Sequence, residues 1–561
     1  MELTGGQILM RTLVEEAVEV IFGFPGGAVI EMYDELVKTD IQHILVRHEQ
    51  GAVHAADGYA RASGNVGVCL VTSGPGATNT VTGIASAYAD SIPLVVITGQ
   101  VPTQLIGNDA FQEVDIVGIT RPCTKHNYLV NDVADLARVM REAFYLARTG
   151  RPGPVLVDIP KNVVSAKTTY KSVPGVRMRS YNPTYHPNMK QLKKVADLVR
   201  KAEKPVIFTG GGVILSGASE ELTALARNTG IPVTGSLMGL GSFPGTDPLW
   251  LGMLGMHGTY RANMSVSFCD LLIGVGVRFD DRVTGKTDDF AAQAKIVHID
   301  IDPTSIRKNI AVNIPVVGDC KKSLSRLNEL LSDLDTRAQA EKKADWINQI
   351  ADWKKSNPLD YDQKDVIKPQ FVVETLFELT EGRAIITTEV GQNQMWAAQY
   401  YHFDRPNNFI TSGGLGCMGF GLPAAIGAQI AHPERTVVDI AGDGSIQMNI
   451  QEMATAVQYK LPVKVVVLNN GYLGMVRQWQ ELFYGRRYAA TCMDCAPDFV
   501  KLAEAYGAIG LRAEKPAEVE AVLARGLAAE GPVIMDFRVE SEECVYPMVP
   551  AGAPISEMLL V

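Results

Sequence analysis

Short apolar runs rich in β-branched residues recur along the chain, and each leads into a glycine-rich turn and a helical stretch. Residues 435–441 form one such run and residues 463–468 another, with a helical stretch from about 449 to 459 between them. Apolar runs without polar alternation are typical of strands buried on both faces of a parallel sheet. The pattern predicts an α/β fold built from strand–turn–helix units.

The order of these units is the same near the two ends of the chain. Residues 68–78, a helix and residues 92–98 match the strand, turn, helix and strand of residues 436–467. The units before them also match, since the helix after Glu49 corresponds to the helix of residues 419–431. We therefore expect two copies of one doubly wound domain.

A third unit lies between the copies and again alternates strands with helical stretches, from about residue 204 to residue 300. Polar residues 165–188 and a charged helix around 337–355 are predicted to be linkers. The expected fold class is therefore α/β, with three doubly wound parallel-sheet domains. Their predicted ranges are 1–170, 190–335 and 365–545, followed by a tail, 546–561.

Composition fits this size and class. A chain of 561 residues is long enough for about three domains, and 46% hydrophobic with 20% charged residues is typical of a well-packed globular protein. A net charge of -10 gives no reason to expect a nucleic acid partner, and no apolar run predicts a membrane helix. The first residues do not resemble a secretory signal, and the eight cysteines are scattered without metal-ligand spacing apart from Cys492 and Cys495, a pair more easily explained as structural than as a redox pair. We therefore expect reduced thiols and a cytoplasmic protein.

The most informative motif is Gly442-Asp443-Gly444-Ser445, which is followed one helix and one strand later by Asn470. Parallel neighbouring strands would place Asp443 and Asn470 at the same sheet edge, where α/β sheets bind ligands. Mg²⁺ prefers a few protein oxygens together with phosphate oxygens and water. A lone Gly-Asp-Gly is more often a plain strand-end turn, but the whole unit predicts a magnesium–diphosphate clamp. This segment resembles the thiamine diphosphate motif of the thiamine-dependent enzymes.

Glu49 lies between a mainly apolar run, residues 41–46, and a helix rich in alanine and glycine. Taken alone, an acid at this position is most simply explained by the favourable field of a helix N-terminus. Thiamine diphosphate adds a second explanation, because its aminopyrimidine ring is activated by a carboxyl group in a desolvated site. Glu49 is the candidate for that group.

Several further motifs resemble the large, catalytic subunit of the acetohydroxyacid synthase (acetolactate synthase) family. They are FGFPGGA at 22–28, RHEQG at 47–51, TSGPGATN at 72–79, DAFQE at 109–113, GRPGP at 150–154 and DIPK at 158–161. The resemblance covers essentially the whole chain, in order. It is most similar to bacterial subunits that work with a separate small regulatory subunit.

By this resemblance, Glu49 activates the cofactor, Gly27 faces the reacting carbon, and Phe111, Gln112 and Lys161 line the substrate approach. Without the resemblance, Phe111 would be read as core and Lys161 as a surface cation. The implied magnesium ligands are Asp443, Asn470 and the backbone carbonyl of Tyr472. The implied thiamine diphosphate contacts are Glu49, Gln392, Asn393, Gly416, Met418, Gly442, Asp443, Gly444, Ser445, Asn470, Tyr472, Leu473, Gly474, Met475 and Val476.

For three residues, the role that the resemblance implies differs from what the residue type or the usual family residue would suggest. Met418 matches the bulky residue that bends the cofactor, although methionine at such a turn is often a core gap filler. Asn393 stands where the family usually has histidine, and its amide can still donate a hydrogen bond. Trp479 is expected to shape the pocket for the second substrate, whereas its helical spacing alone would equally fit a core residue.

The middle unit has glycine-rich turns after its strands, which suit a dinucleotide, although ordinary loop glycines explain them equally well and no Gly-x-Gly-x-x-Gly is present. The resemblance implies a site for FAD, which in this family takes no part in the net reaction. The implied FAD contacts are Arg151, Gly210, Gly211, Gly212, Leu237, Met238, Gly255, Met256, His257, Gly276, Val277, Arg278, Asp280, Arg282, Asp300, Ile301, Asp319 and Cys320.

The resemblance implies decarboxylation of pyruvate on thiamine diphosphate and ligation of the two-carbon unit to a second pyruvate or to 2-oxobutyrate, at the start of valine, leucine and isoleucine synthesis. It also implies a homodimer or a dimer of dimers, since family members build each site from two subunits. Two alternatives stay open: a thiamine-dependent 2-oxoacid decarboxylase or pyruvate oxidase on the same scaffold, and a non-catalytic cofactor-binding or assembly protein.

Overall fold

The structure, a computed structural model, describes residues 1–493 and 495–560. Within these residues it contains three six-stranded sheets in which every strand pair is parallel, and one two-stranded antiparallel sheet. The small sheet pairs β1 (Glu2–Thr4) with β8 (Lys167–Thr169). The prediction of three parallel-sheet α/β domains is confirmed.

The first large sheet has the order β3-β2-β4-β5-β7-β6. Its strands are β2 (Val20–Phe24), β3 (Gln42–Leu45), β4 (Gly67–Val71), β5 (Leu94–Gln100), β6 (His126–Leu129) and β7 (Pro154–Pro160). The accompanying helices are α1 (Gly5–Glu15), α2 (Ile30–Leu36), α3 (Glu49–Ser63), α4 (Pro75–Thr78), α5 (Val81–Asp90), α6 (Ile116–Thr120), α7 (Leu136–Arg148) and α8 (Lys161–Ser165), with 3₁₀ turns at Thr103–Leu105, Arg121–Cys123 and Val133–Asp135.

The middle sheet has the order β11-β10-β9-β12-β13-β14. Its strands are β9 (Pro205–Thr209), β10 (Val233–Gly235), β11 (Trp250–Met253), β12 (Leu271–Val275), β13 (Lys295–Asp300) and β14 (Ile314–Val317). The helices of this part of the chain are α9 (Met189–Lys201), α10 (Gly211–Leu215), α11 (Ser219–Thr229), α12 (Tyr260–Phe268), α13 (Asp281–Thr284), α14 (Cys320–Leu330), α15 (Thr336–Lys342) and α16 (Ala344–Ser356), with a 3₁₀ turn at Leu237–Gly239.

The third large sheet has the order β16-β15-β17-β18-β20-β19. Its strands are β15 (Ile385–Thr388), β16 (Phe409–Ile410), β17 (Val437–Gly442), β18 (Lys464–Asn469), β19 (Ile509–Ala513) and β20 (Val533–Arg538). The helices are α17 (Pro369–Thr380), α18 (Gln392–Tyr400), α19 (Gly421–Ala431), α20 (Asp443–Ile446), α21 (Met453–Gln458), α22 (Gly474–Phe483), α23 (Phe499–Tyr506) and α24 (Val519–Ala528), with 3₁₀ turns at Ile450–Glu452 and Pro516–Glu518.

The first and third sheets have identical wiring. When each is numbered from its own first strand, both have the order 2-1-3-4-6-5, whereas the middle sheet has the order 3-2-1-4-5-6. The predicted internal repeat is therefore confirmed at the level of topology. In such sheets a ligand crevice opens where the strand order reverses, which is between β2 and β4, between β9 and β12, and between β15 and β17.

Glycines allow the two copies to pack tightly against each other through α3 and α19. A Cβ atom at Gly427 would lie 1.9 Å from the Ala55 carbonyl oxygen, and one at Gly58 would lie 2.2 Å from the Ala424 carbonyl oxygen. A larger residue at either position would force the helices apart. The contact therefore fixes the position of the helix that begins with Glu49 relative to the third sheet.

Residues 546–560 of the predicted tail pack on the middle domain. The Val549 N–H donates to the Met256 carbonyl at 2.8 Å, and the Lys286 N–H donates to the Ala553 carbonyl at 3.1 Å. The tail therefore supports the wall that contains Met256. Among the described residues, no helix is both long enough and apolar enough to span a membrane.

Candidate active site

A pocket opens at the carboxyl end of the third sheet, at the switch point between β15 and β17. Asp443 follows β17 and Asn470 follows β18, so the two predicted magnesium ligands come from adjacent strands. The predicted cofactor residues that line this pocket are Gln392, Asn393, Met418, Gly442, Asp443, Gly444, Ser445, Asn470, Tyr472, Leu473, Gly474, Met475 and Val476. The structure thus brings together nearly all the candidates from the third domain.

Asp443 is the feature of this pocket that calls for a cation. Its side chain is 1% exposed, and neither its Oδ2 nor the Ser445 Oγ has a hydrogen-bond partner among the described residues. Burial raises the pKa of the Asp443 carboxyl to about 6. An ionised oxygen without a partner is costly in such a place, and coordination of a hard cation would remove that cost.

Asn470 is held in position by Gln392 of α18 and by Tyr472 in the loop before α22. Its Nδ2 donates to Gln392 Oε1 at 3.2 Å, and its Oδ1 accepts from the Tyr472 N–H at 3.0 Å. The amide oxygen keeps a second lone pair for a cation. Gly474 is required beside it, because a Cβ there would lie 2.1 Å from Gln392 Oε1.

The helices α18 and α22 both begin at this pocket, at Gln392 and Gly474. Helix N-termini present free N–H groups and partial positive charge, which suit a diphosphate. Asn393 is different, because its Nδ2 donates to the carbonyls of Glu389 and Ile440, both at 2.8 Å. Donation from this side chain to a diphosphate would require one of these bonds to break.

A larger cleft of about 950 Å³ adjoins this pocket. Met418, Met475 and Val476 line both spaces, while Trp479 and Gly416 line the larger one. Trp479 is half-buried and packs edge-on against Phe483, with ring centroids 5.5 Å apart. Met418 and Trp479 are therefore wall residues of the cleft and not core fillers.

The cleft lies at the switch point of the middle sheet, between β9 and β12. The predicted FAD residues that line it are Arg151, Gly211, Gly212, Leu237, Met238, Met256, His257, Gly276, Val277, Arg278, Asp280, Arg282, Asp300, Ile301, Asp319 and Cys320. Gly210 and Gly255 are behind this wall, where Cβ atoms would lie 2.4 Å from the Gly276 carbonyl oxygen and 2.5 Å from the Arg282 carbonyl oxygen. The volume and the glycine-lined switch point fit a dinucleotide.

Several of the residues with which the other two domains line the cleft were not among the residues named from the sequence. Ala89, Asp90 and Ser91 come from the first domain, and Val390, Gln394 and residues 412–415 come from the third. Only the GRPGP motif at 150–154 pointed to a first-domain contribution, through Arg151. Arg151 is fixed there by an ion pair with Asp302, whose Nη1–Oδ2 distance is 3.0 Å.

The first-domain candidates lie at the carboxyl end of the first sheet. Glu49 begins α3, is half-buried, and accepts a hydrogen bond from Asn79 Nδ2 at 2.9 Å through Oε2. Gly27 lies in the loop after β2, where a Cβ would meet nothing within 4 Å. Lys161 begins α8 directly after β7. Strands of one parallel sheet therefore bring these residues to one edge.

Phe111 and Gln112 lie in the loop that follows β5. Phe111 is 88% exposed, and Gln112 adopts a positive φ of 57° while its backbone packs against Gly74. Among the described residues, none of the five first-domain candidates lines either the pocket or the cleft. Within one chain, these five residues therefore lie on a different surface from the pocket around Asp443 and Asn470, which we call the clamp pocket.

A buried acid that the sequence reading missed orients the turn bearing Met418. Glu389 follows β15, and its carboxylate accepts from the Gly419 N–H at 2.6 Å and the Leu422 N–H at 3.2 Å. Asp439 lies close by, and burial raises the pKa of both carboxyl groups. The signal available in the sequence was an acid at a strand end, one residue after Thr388.

Comparison with known families agrees with this geometry. Three models of the thiamine pyrophosphate enzymes match the chain: the N-terminal TPP binding domain at residues 3–119, the central domain at 192–327 and the C-terminal TPP binding domain at 389–537. The acetolactate synthase large subunit of Haemophilus influenzae is 50% identical over 564 residues, covering 100% of this chain and 98% of its own length.

Two further relatives show the same full-length similarity. The acetolactate synthase isozyme 3 large subunit of Escherichia coli is 51% identical, with 100% of this chain and 98% of its own length covered. The acetolactate synthase of Mycobacterium bovis is 50% identical, with coverage of 99% and 91%. The chain belongs to the acetolactate synthase large-subunit family. The resemblance stated from the motifs is therefore confirmed, and the family binds thiamine pyrophosphate (thiamine diphosphate) through its first and third domains.

Proposed function

We propose that the chain is the catalytic subunit of an acetolactate synthase that uses thiamine diphosphate. It decarboxylates pyruvate and ligates the two-carbon unit to a second pyruvate or to 2-oxobutyrate. The observation that carries the proposal is the buried, unpartnered Asp443 Oδ2 in a pocket bounded by two helix N-termini, in a chain about 50% identical to acetolactate synthase large subunits.

The metal and cofactor assignments follow from the same pocket. Asp443, Asn470 and the Tyr472 carbonyl would hold Mg²⁺, which in turn would hold the diphosphate against α18 and α22. When bound, thiamine diphosphate supplies the carbanion that attacks a 2-oxo acid and accepts electrons on decarboxylation. Met418, Met475 and Val476 form an apolar wall of that space, and this wall would shield a bound cofactor from water.

A complete site needs two copies of the chain. Glu49 is the carboxyl group proposed to activate the cofactor, yet the clamp pocket of the same chain is lined only by third-domain residues within the described sequence. Phe111 is 88% exposed at the same edge as Glu49, as expected of a residue that a partner covers. We assign a homodimer as the smallest active form, and two such dimers could form a tetramer.

The cleft of the middle domain is proposed to bind FAD, which has no redox role in this reaction. Its glycine-lined turns at Gly211, Gly212 and Gly276 would let the backbone approach a pyrophosphate. The relatives are named large subunits, which supports a separate small regulatory subunit. The domain limits 1–170, 190–335, 365–545 and 546–561 and a cytoplasmic location are part of the same proposal.

The test is incubation of the full-length chain with pyruvate, Mg²⁺ and thiamine diphosphate, with and without FAD, and with and without 2-oxobutyrate. Acetolactate and 2-aceto-2-hydroxybutyrate are the expected products, and omission of FAD should lower their yield. Acetaldehyde as the main product would indicate a decarboxylase, and hydrogen peroxide would indicate an oxidase. Absence of any turnover with bound cofactors would favour a binding or assembly protein.

A further inference from the structure

The last residues of α5 and the first residue after it, residues 89–91, connect the cleft to other parts of the molecule. Ala89, Asp90 and Ser91 all line the cleft. The Ala89 carbonyl accepts from Arg278 Nη1 at 2.5 Å, and the Ser91 Oγ accepts from Arg151 Nε at 2.8 Å. Two arginines assigned to the flavin therefore hold this short segment directly.

Asp90 points from this segment into the third domain. Its Oδ1 accepts from the Gly414 N–H at 2.7 Å, and its Oδ2 accepts from the Gly413 N–H at 3.2 Å and from Arg61 Nη2 at 2.9 Å. Arg61 also donates from Nη1 to the Thr411 carbonyl at 2.9 Å. One buried ion pair thus holds the start of residues 411–418, which we call the cleft segment.

The cleft segment is a wall shared by the two ligand spaces. Residues 412–416 and Met418 line the large cleft, and Met418 also lines the clamp pocket. Ser86 on α5 makes a second contact with this segment, since its hydroxyl oxygen lies 2.9 Å from that of Ser412. The Ser412 hydroxyl oxygen also accepts a hydrogen bond from the Cys417 N–H at 3.0 Å. A shift of residues 89–91 would therefore be transmitted towards Met418.

Because they are buried, the interactions of Asp90 with Arg61 and with the cleft segment are sensitive to geometry. The Asp90 side chain is 0% exposed and the Arg61 side chain 7% exposed. A Cβ at Gly414 would lie 2.7 Å from Asp90 Oδ1, so only glycine allows this approach. If the cleft segment moved away, the buried carboxylate of Asp90 would lose the hydrogen bonds from Gly413 and Gly414, and a fully satisfied buried network favours one defined arrangement.

We propose that Asp90 is a positioning residue that couples the two sites, so that FAD in the cleft strengthens binding of thiamine diphosphate in the clamp pocket. This inference rests on the proposed function, because it assigns FAD to the cleft. It gives the flavin a role that needs no electron transfer: FAD favours the arrangement of residues 89–91 that holds Met418 in place. Coupling between two binding sites is reciprocal, so thiamine diphosphate must strengthen FAD binding by the same factor.

The experiment measures the dissociation constant of thiamine diphosphate for the full-length chain at saturating Mg²⁺, with and without saturating FAD, by isothermal titration calorimetry. For the unaltered chain, FAD should lower this constant by roughly 5- to 100-fold, the usual range of such coupling. In Asp90→Asn the ratio of the two constants should fall towards one, while each ligand alone still binds.

The matched control is Asp57→Asn. Asp57 accepts from Arg61 Nε at 2.6 Å and belongs to the same buried charge cluster, but its hydrogen bonds go to Arg61 and not to the cleft segment. This variant should melt at a lower temperature and yet keep the coupling ratio of the unaltered chain. If Asp90→Asn does not fold, as judged by circular dichroism, Ser86→Ala replaces it and should lower the ratio partially.

The inference is overturned if FAD leaves thiamine diphosphate affinity unchanged in the unaltered chain, or if Asp90→Asn, or Ser86→Ala in its place, keeps the full ratio. An equal loss of coupling in Asp57→Asn would also overturn it, because general loosening of the cluster would then explain the effect. These outcomes differ from failure of the proposed function, which would appear as no acetolactate from the unaltered chain with all cofactors present.

Discussion

Replacement of Asp443 by Asn should stabilise the chain in the absence of Mg²⁺ and thiamine diphosphate, and destabilise it relative to the unaltered chain in their presence. The reason is that the folded protein keeps a nearly inaccessible carboxylate whose Oδ2 has no partner among the described residues. That charge is useful only when a cation is bound. Sites shaped for ligands often carry such a cost in stability.

The magnitude follows from the pKa of Asp443, which burial raises from 3.8 to about 6. At a pH between these two pKa values, the carboxyl group is protonated in the folded state and ionised in the unfolded state. The free energy of unfolding therefore falls as the pH rises through this range. Above pH 6 the whole cost is present. Two pKa units at about 1.4 kcal/mol each give about 3 kcal/mol at pH 8, and roughly half of that at pH 5.

The assay is urea unfolding of both full-length proteins at pH 5 and pH 8, in EDTA and without cofactors, followed by circular dichroism. The stability of Asp443→Asn relative to the unaltered chain should be about 1.5 kcal/mol greater at pH 8 than at pH 5. The introduced Asn side chain is also unpartnered, but its cost in stability does not depend on pH and therefore cancels in the difference between pH 8 and pH 5. Mg²⁺ with thiamine diphosphate at 100 times its Kd should then add about 2.7 kcal/mol to the unaltered chain alone. A relative stability that does not change with pH would refute the reasoning.

Three further predictions concern the proposed site and the contact between α3 and α19, which joins the first and third domains of one chain. Glu49→Gln should lower acetolactate formation by at least about 100-fold while calorimetry still detects thiamine diphosphate binding, and undiminished turnover would remove Glu49 from the site. Gly427→Ala places a methyl group 1.9 Å from the Ala55 carbonyl oxygen, so overpacking of about 1–3 kcal/mol should exceed the helix propensity gain of about 1 kcal/mol and lower the melting temperature. Gly531→Ala, with nothing within 4 Å of its Cβ, is the control, and equal melting of the two variants would contradict the prediction. Trp479→Leu should change the ratio of 2-aceto-2-hydroxybutyrate to acetolactate by up to about tenfold in a mixed-substrate product assay, and an unchanged product ratio would exclude Trp479 from the pocket.

The sequence predicted those features that arise within a single strand–helix–strand unit. The clamp is such a feature, because Asp443 and Asn470 terminate adjacent strands and their meeting needs only local topology. The internal repeat was visible for the same reason, since the order of apolar runs and glycine turns reflects the order of strands. The two copies indeed share the order 2-1-3-4-6-5.

Contacts between domains could not be predicted in this way. Asp90 and Gly414 are 324 positions apart, and their hydrogen bond depends on how two whole domains pack. The cleft has walls from all three domains, of which the sequence indicated mainly the middle one. Asn393 shows a further limit, because a motif places the residue at the pocket but does not reveal that backbone carbonyls already use its amide hydrogens.

The separation of Glu49 from the clamp of its own chain has a genetic consequence. In the homodimer that we propose, co-expression of a chain damaged at Glu49 with one damaged at Asp443 would give mixed dimers with one site that carries both defects and one site that carries neither. Two individually inactive alleles would then restore part of the activity when present in the same cell. Damage at Asp443 and Asn470 would not complement in this way, since both residues lie in the same half of every site.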